Sequence, residues 1–184
     1  PVRAQDDRPG AGRAEEAAEH ILSERFAMSD LDHPFITRLF ATFKTQRSVY
    51  MLLEVSLGGE LFTYIKEQHV VSEAAARFYT GCVVLAFEHM HTHSLAYRDL
   101  KPENVVIGHN GYVKLVDLGF AKKIHLKTYT LCGTPEYLSP EQITLRGHGC
   151  GVDWWAVGVF LYELLVGCTP FCPRGTSPNP GVIY

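Results

Sequence analysis

Two short stretches of this 184-residue sequence carry side chains suited to moving a phosphoryl group. One is Tyr97-Arg98-Asp99-Leu100-Lys101-Pro102-Glu103-Asn104, and the other, Asp117-Leu118-Gly119, begins thirteen residues after it. Phosphoryl transfer asks little covalent chemistry of a protein. It needs a base for the attacking hydroxyl, oxygen ligands for magnesium, and a cation for the migrating charge. Asp99 is of the first type. Asn104 and Asp117 are hard oxygen donors that suit magnesium shared with phosphate oxygens. Lys101 is a compact point charge on a flexible stem, of the type able to follow the migrating charge.

Elements able to hold these residues flank them on both sides. Residues 1–14 are rich in Pro, Gly, Ala and charge and read as disordered or as a poorly packed head. Apolar residues then recur at helical spacing within Glu15–Met28, and His33-Pro34 closes that segment. Ile36–Phe43 and Ser48–Val55 read as strands of a hairpin around Lys44-Thr45-Gln46-Arg47. Leu57-Gly58-Gly59 is a breaker. Helices are expected at Leu61–Glu67 and at Glu73–His93, the second with Ser72 as N-cap and acids near its start. Val105–Ile107 and Tyr112–Val116 read as short strands around His109-Asn110-Gly111. Asp153–Val166 is apolar on every side, which predicts a helix in the middle of a core. A few strands, a glycine break and then mostly helix make an α+β protein of two lobes with a cleft at the break.

Composition narrows the partners. The net charge of −3 gives no reason to expect nucleic acid or an anionic membrane. The most apolar run, Trp154–Val166, is 13 residues long and too short to span a bilayer. Five scattered cysteines without a C-x-x-C pair favour a reducing, cytoplasmic setting over a disulfide framework. His89, His91 and His93 lie two apart, so on a helix successive ones point to different sides, and a polar helix end is the plainer reading than a metal site. No G-x-x-x-x-G-K-[ST] loop is present, which argues against a non-kinase nucleotide hydrolase.

The run at 97–104 resembles the catalytic loop of eukaryotic protein kinases (H-R-D-x-K-x-x-N), and Asp117-Leu118-Gly119 resembles their D-F-G triplet. Thr130-Leu131-Cys132-Gly133-Thr134-Pro135-Glu136-Tyr137-Leu138-Ser139-Pro140-Glu141 is similar to the activation and P+1 loop of the AGC group. Arg77–Val84 and Gly111–Asp117, followed by Gly119–Ile124, look most like cGMP-dependent protein kinases, with cAMP-dependent kinases as the runner-up. The resemblance covers about residues 17–184. It implies a Ser/Thr protein kinase, a transferase using ATP and Mg2+, with Asp99 as base and Asn104 and Asp117 holding the metal. Lys101 would meet the γ-phosphate. Leu118 replaces the usual Phe, implying a weaker or more mobile active arrangement without loss of the metal site.

Further roles follow from the resemblance residue by residue. Glu24 matches the regulatory-helix acid that pairs with an ATP-binding lysine. Leu53 matches the gatekeeper, and the backbones of Glu54 and Ser56 would read adenine, with Leu61 and Val106 as its floor. Glu60, Glu103 and Glu163 match acids that bind arginines of basic substrates, an electrostatic complement to Arg/Lys-rich peptides. Thr134 matches the threonine that contacts base and lysine and favours Ser/Thr over Tyr. Thr130 sits at the activating phosphosite, which an upstream kinase would modify and which Arg98, Lys122 and His20 would bind. Asp153 would steady the catalytic-loop backbone.

The implied division is a head at 1–16, a partial N-lobe at 17–53, a hinge at 54–59 and a partial C-lobe at 60–184. Neither a G-x-G-x-x-G loop nor a V-A-x-K-type strand precedes Glu24. The expectation is therefore a truncated kinase fold, lacking the first N-lobe strands and the last C-lobe helices. An alternative is a pseudokinase-like scaffold or regulatory fragment that binds partners without transferring phosphate.

Overall fold

A computed structural model describes residues 21, 24–45, 48–68 and 71–172. The architecture is α+β, as expected, with strands paired two at a time and helices mostly after the glycine break. Of the helix expected over Glu15–Met28, residues 21 and 24–29 are helical, and the rest of its earlier part lies outside the described residues. β1 (Leu39–Lys44) and β2 (Val49–Leu53) form an antiparallel hairpin with Lys44 opposite Val49. At its tip the Thr45 N–H donates to the Ser48 carbonyl at 2.9 Å. β1 starts later than the expected Ile36 because that residue forms an isolated parallel bridge to Leu115. There the Thr37 N–H donates to the Leu115 carbonyl at 2.9 Å.

The glycine break then delivers the chain to α1 (Leu61–Gln68). The Gly58 N–H donates to the Ile107 carbonyl, and the Ile107 N–H to the Gly59 carbonyl, both at 2.8 Å. A Cβ on Gly58 would stand 2.6 Å from that Ile107 oxygen, so glycine is what lets the two backbones meet. α2 (Glu73–Thr92) begins where expected. The Ser72 Oγ accepts the Ala75 N–H at 3.3 Å, and Glu73 lies at the positive end of the helix dipole.

β3 (Leu95–Ala96) pairs with β6 (Lys122–Lys123), and β4 (Val105–Ile107) with β5 (Val113–Leu115), both antiparallel. α3 (Pro140–Ile143) is a single turn opened by a capping box between Ser139 and Gln142. α4 (Gly151–Val166) starts two residues before the expected Asp153 and stops at Gly167, whose φ of 81° suits a glycine beyond a helix end.

α4 departs from expectation in its surroundings. Phe160 and Leu164 are fully buried in one core with Val83, Phe87 and Met90 of α2. Trp154, Trp155, Tyr162 and Leu165 are exposed among the described residues. An all-round apolar sequence reports how much surface could be buried, whereas packing on α2 covers a single face. Trp155 stacks instead on Phe171, with ring centroids 5.8 Å apart. Among the described residues no helix is long and apolar enough to cross a membrane. Phe160→Ala is expected to cost about 3–5 kcal/mol, read from the midpoint of urea denaturation. Leu165→Ser on the open face should cost less than about 1 kcal/mol in the same titration.

Candidate active site

The loop after β3 is shaped from beneath by one acid. Asp153, in the first turn of α4, is 1% exposed. Its Oδ2 accepts the Tyr97 N–H at 2.9 Å and its Oδ1 the Arg98 N–H at 2.8 Å. His91 Nε2 lies 2.8 Å from Oδ2. Arg98 takes a φ of 68°, a region disfavoured for a residue with a side chain, and these bonds hold it there. The fully buried Tyr97 donates its hydroxyl to the Val116 carbonyl at 2.5 Å, tying this loop to the segment that carries Asp117. Burial pushes the Tyr97 phenol well above its usual pKa, and the charges of Asp99, Asp117 and Asp153 push the same way.

Asp99 follows at once, 3% exposed. Its Oδ1 accepts the Thr134 hydroxyl at 2.9 Å and its Oδ2 the Asn104 Nδ2 at 2.8 Å. Lys101 Nζ stands 3.0 Å from Asp99 Oδ2 and donates to Thr134 Oγ1 at 3.1 Å. The 3-10 turn Pro102–Asn104 folds Asn104 back under Asp99, where its Nδ2 also reaches the Asp99 carbonyl at 2.9 Å. With Nδ2 committed to these acceptors, Oδ1 is the Asn104 atom open to a cation (oxygen and nitrogen being assigned from this network). Asp117 is exposed with a φ of 57°, and its Oδ1 accepts the Gly119 N–H at 3.1 Å. Leu118 is fully buried in the core that holds Ala27 and Met28. Thr134 is brought in by Gly133, whose φ is 106° and whose missing Cβ would lie 2.5 Å from the Arg98 carbonyl oxygen.

The remaining expected residues spread over neighbouring elements. Glu24 has its carboxyl raised to about 6, by burial first and then by the charge of Asp117. Among the described residues no ion pair engages it. At the hinge the Glu54 N–H donates to the Arg38 carbonyl at 2.9 Å, so its carbonyl is the main-chain group left for a ligand. The Glu54 side chain pairs with Lys114 at 3.0 Å. Leu53 is exposed, Ser56 and Val106 are half-buried, and Leu61 is fully buried.

Among the acids, Glu163 is raised by burial and by the nearby charges of Glu103 and Glu136, while a hydrogen bond donated by the Tyr137 hydroxyl opposes them. Glu60 comes from another element, bridging to Val106 just before α1. Sequence reasoning did not single out Glu136 or Tyr137 for this cluster. Their place beside Thr134 in the same loop was the available signal.

Thr130 is exposed and its hydroxyl lies 3.5 Å from that of Thr128, which accepts from Lys122 Nζ at 3.1 Å. Arg98 Nε donates to the Phe120 carbonyl at 2.9 Å. His20 lies outside the described residues. His91 turns toward Asp153, whereas the rings of His89 and His93, one helical turn apart, lie 4.7 Å from each other.

Two outcomes follow from this geometry. A carboxyl raised on folding favours the folded state when protonated, so the Glu24 contribution is complete below its ordinary value of 4.5 and lost as pH rises through about 6. Glu24→Gln should therefore stabilise the fold near pH 7.5 by on the order of 1 kcal/mol after solvent screening, and do nothing near pH 4, in parallel urea titrations. Gly133→Ala should displace Thr134 from Asp99, seen as loss of that hydrogen bond in a crystal structure and as lower thermal stability.

Comparison with known proteins agrees with the geometry. Residues 9–179 match the protein kinase domain family. The chain is 50% identical over 162 residues to the cGMP-dependent protein kinase, isozyme 2 forms cD5/T2, of Drosophila melanogaster, covering 87% of this chain and 17% of that protein. It is 46% identical over 166 residues to the cAMP-dependent protein kinase catalytic subunit PRKX of Homo sapiens, covering 90% of this chain and 45% of that one. The cAMP-dependent protein kinase catalytic subunit of Dictyostelium discoideum is 46% identical over 153 residues, covering 83% of this chain and 24% of that subunit. The chain thus spans well under two thirds of the length of each of these relatives. Both cyclic-nucleotide-dependent classes named from the sequence are represented among them. By the residues matched and the extent of identity, this chain belongs to the protein kinase domain family.

Proposed function

We propose that this chain carries the machinery for transferring the γ-phosphoryl group of ATP to Ser/Thr hydroxyls in basic protein sequences. The observation that carries the reading is the network joining Asp99, Lys101, Asn104 and Thr134 at 2.8–3.1 Å. Asp99 takes the proton of the substrate hydroxyl, whose oxygen bonds to phosphorus as the bond to the ADP oxygen breaks. Thr134 and Asn104 aim that carboxylate. Lys101, shared between Asp99 and Thr134, is placed to follow the charge onto the transferred group. Asn104 Oδ1 and the Asp117 carboxylate are oxygen donors of the kind Mg2+ takes, and the ion would neutralise phosphate oxygens there.

The hinge at 54–59 divides a partial N-lobe at 17–53 from a partial C-lobe at 60–184. The Glu54 carbonyl and the Ser56 backbone read adenine against Leu53, Leu61 and Val106. Glu60, Glu103 and Glu163, joined by Glu136, attract arginines of the substrate. Thr130 is modified by an upstream kinase and then held by Arg98, Lys122 and His20. The setting is the cytoplasm.

A second reading, a module that binds partners without transferring phosphate, draws on one observation: no cation faces Glu24 among the described residues. The two readings separate experimentally. In the full-length protein, Asp99→Asn should lower phosphorylation of an Arg-rich peptide by about 100-fold or more while ATP binding, measured by calorimetry, stays near the parent value. Unchanged turnover would sink the assignment of Asp99. Glu103→Gln with Glu163→Gln should weaken kcat/KM for Arg-containing peptides and leave a neutral peptide unaffected.

A further inference from the structure

Two buried nitrogens beside the activation segment have no hydrogen-bond partner among the described residues: Arg98 Nη1 and His148 Nε2. Arg98 is 9% exposed and His148 3%. Leaving a buried polar group unpaired destabilises the fold, so such groups call for an explanation, an unbound anion among them. His148 is joined to the activation segment by an antiparallel bridge, exchanging both main-chain hydrogen bonds with Thr128 at 2.8 and 2.9 Å. The Thr128 hydroxyl in turn holds Lys122 Nζ and neighbours the Thr130 hydroxyl. Thr128 is 6% exposed, whereas Thr130 is open to solvent, so Thr130 is the hydroxyl that an enzyme can reach.

The charged groups acting on His148 are the cations Arg98 and Lys122 and the acids Glu141 and Asp153. Asp153 is already occupied by the Tyr97 and Arg98 N–H groups and by His91. Burial first, and then the Arg98 charge, hold the His148 imidazole below its usual pKa, with Lys122 adding to this and Glu141 and Asp153 opposing it. The site therefore has fixed positive charge, a neutral imidazole and donors without acceptors. It lacks an anion.

We propose that His148 joins Arg98 as a donor to a phosphate ester carried by Thr130. This rests on the reading of Thr130 as a phosphosite and adds a residue which that reading did not contain. The ester's negative charge draws a proton from solvent onto His148, so that Nε2–H and Arg98 Nη1–H both point to phosphate oxygens. Attachment of the phosphorylated segment then strengthens as pH falls through the His148 pKa of that state.

The test is an NMR titration of the assigned His148 ring in the full-length protein, unmodified and with Thr130 phosphorylated. A third sample is Thr130→Ala with millimolar inorganic phosphate. The expected result is a rise of about one pH unit or more, tenfold in proton affinity, on Thr130 phosphorylation. A rise produced only by inorganic phosphate in Thr130→Ala would keep the anion site and remove Thr130 as its source. No rise in any sample would overturn the proposal, even if Thr130 phosphorylation still activated the enzyme.

Discussion

Asp153 is a carboxylate almost without contact to water, and its two oxygens are filled by the Tyr97 and Arg98 main-chain N–H groups and by His91. A buried anion persists only where donors replace its hydration, so this acid and this loop require each other. The pairing keeps Arg98 in the left-handed region, where its Nε donates to the Phe120 carbonyl and Asp99 follows as the next residue. Every contact of Asp99 presupposes that turn. A helix that serves as core for α2 thus also sets the loop that carries the proposed base.

From that base the site is assembled by segments far apart in the chain. Thr134 reaches Asp99 across 35 residues, and it can do so because Gly133 lets two backbones come close. Tyr97 reaches Val116 and so couples the position of Asp99 to that of Asp117. These links are short and mutually consistent. A disturbance at Gly133 or Asp153 is therefore felt at the proposed base without touching it.

Around the same centre stand groups whose electrostatic demands are unmet. Glu24 meets the charge of Asp117 without a cation, Glu163 is crowded by Glu103 and Glu136, and Arg98 and His148 hold donors without acceptors. Each costs folding free energy in this state, and each is where an oppositely charged ligand would bring the largest gain. Stability given up at such points is the usual signature of sites organised for binding.

Much was legible in the sequence because it depended on local rules. The spacing of Asp99, Lys101 and Asn104 on one turn, the Ser72 cap, the Gly58-Gly59 break and the hairpin about Asn110-Gly111 all follow from neighbours in the chain. The resemblance carried by residues 97–104 and 117–119 points to the family without any tertiary contact. What the sequence could not decide was which face of α4 would be covered, why β1 begins after Ile36, and that Glu136, Tyr137 and His148 would enter the site. Those outcomes turn on desolvation and on charges arriving from distant segments, as when the Tyr137 hydroxyl meets Glu163 across 26 residues. Residue types and spacing determined the chemistry available to this chain. The tertiary structure alone decided which charges were left facing one another, because burial and distance exist only once the segments have packed.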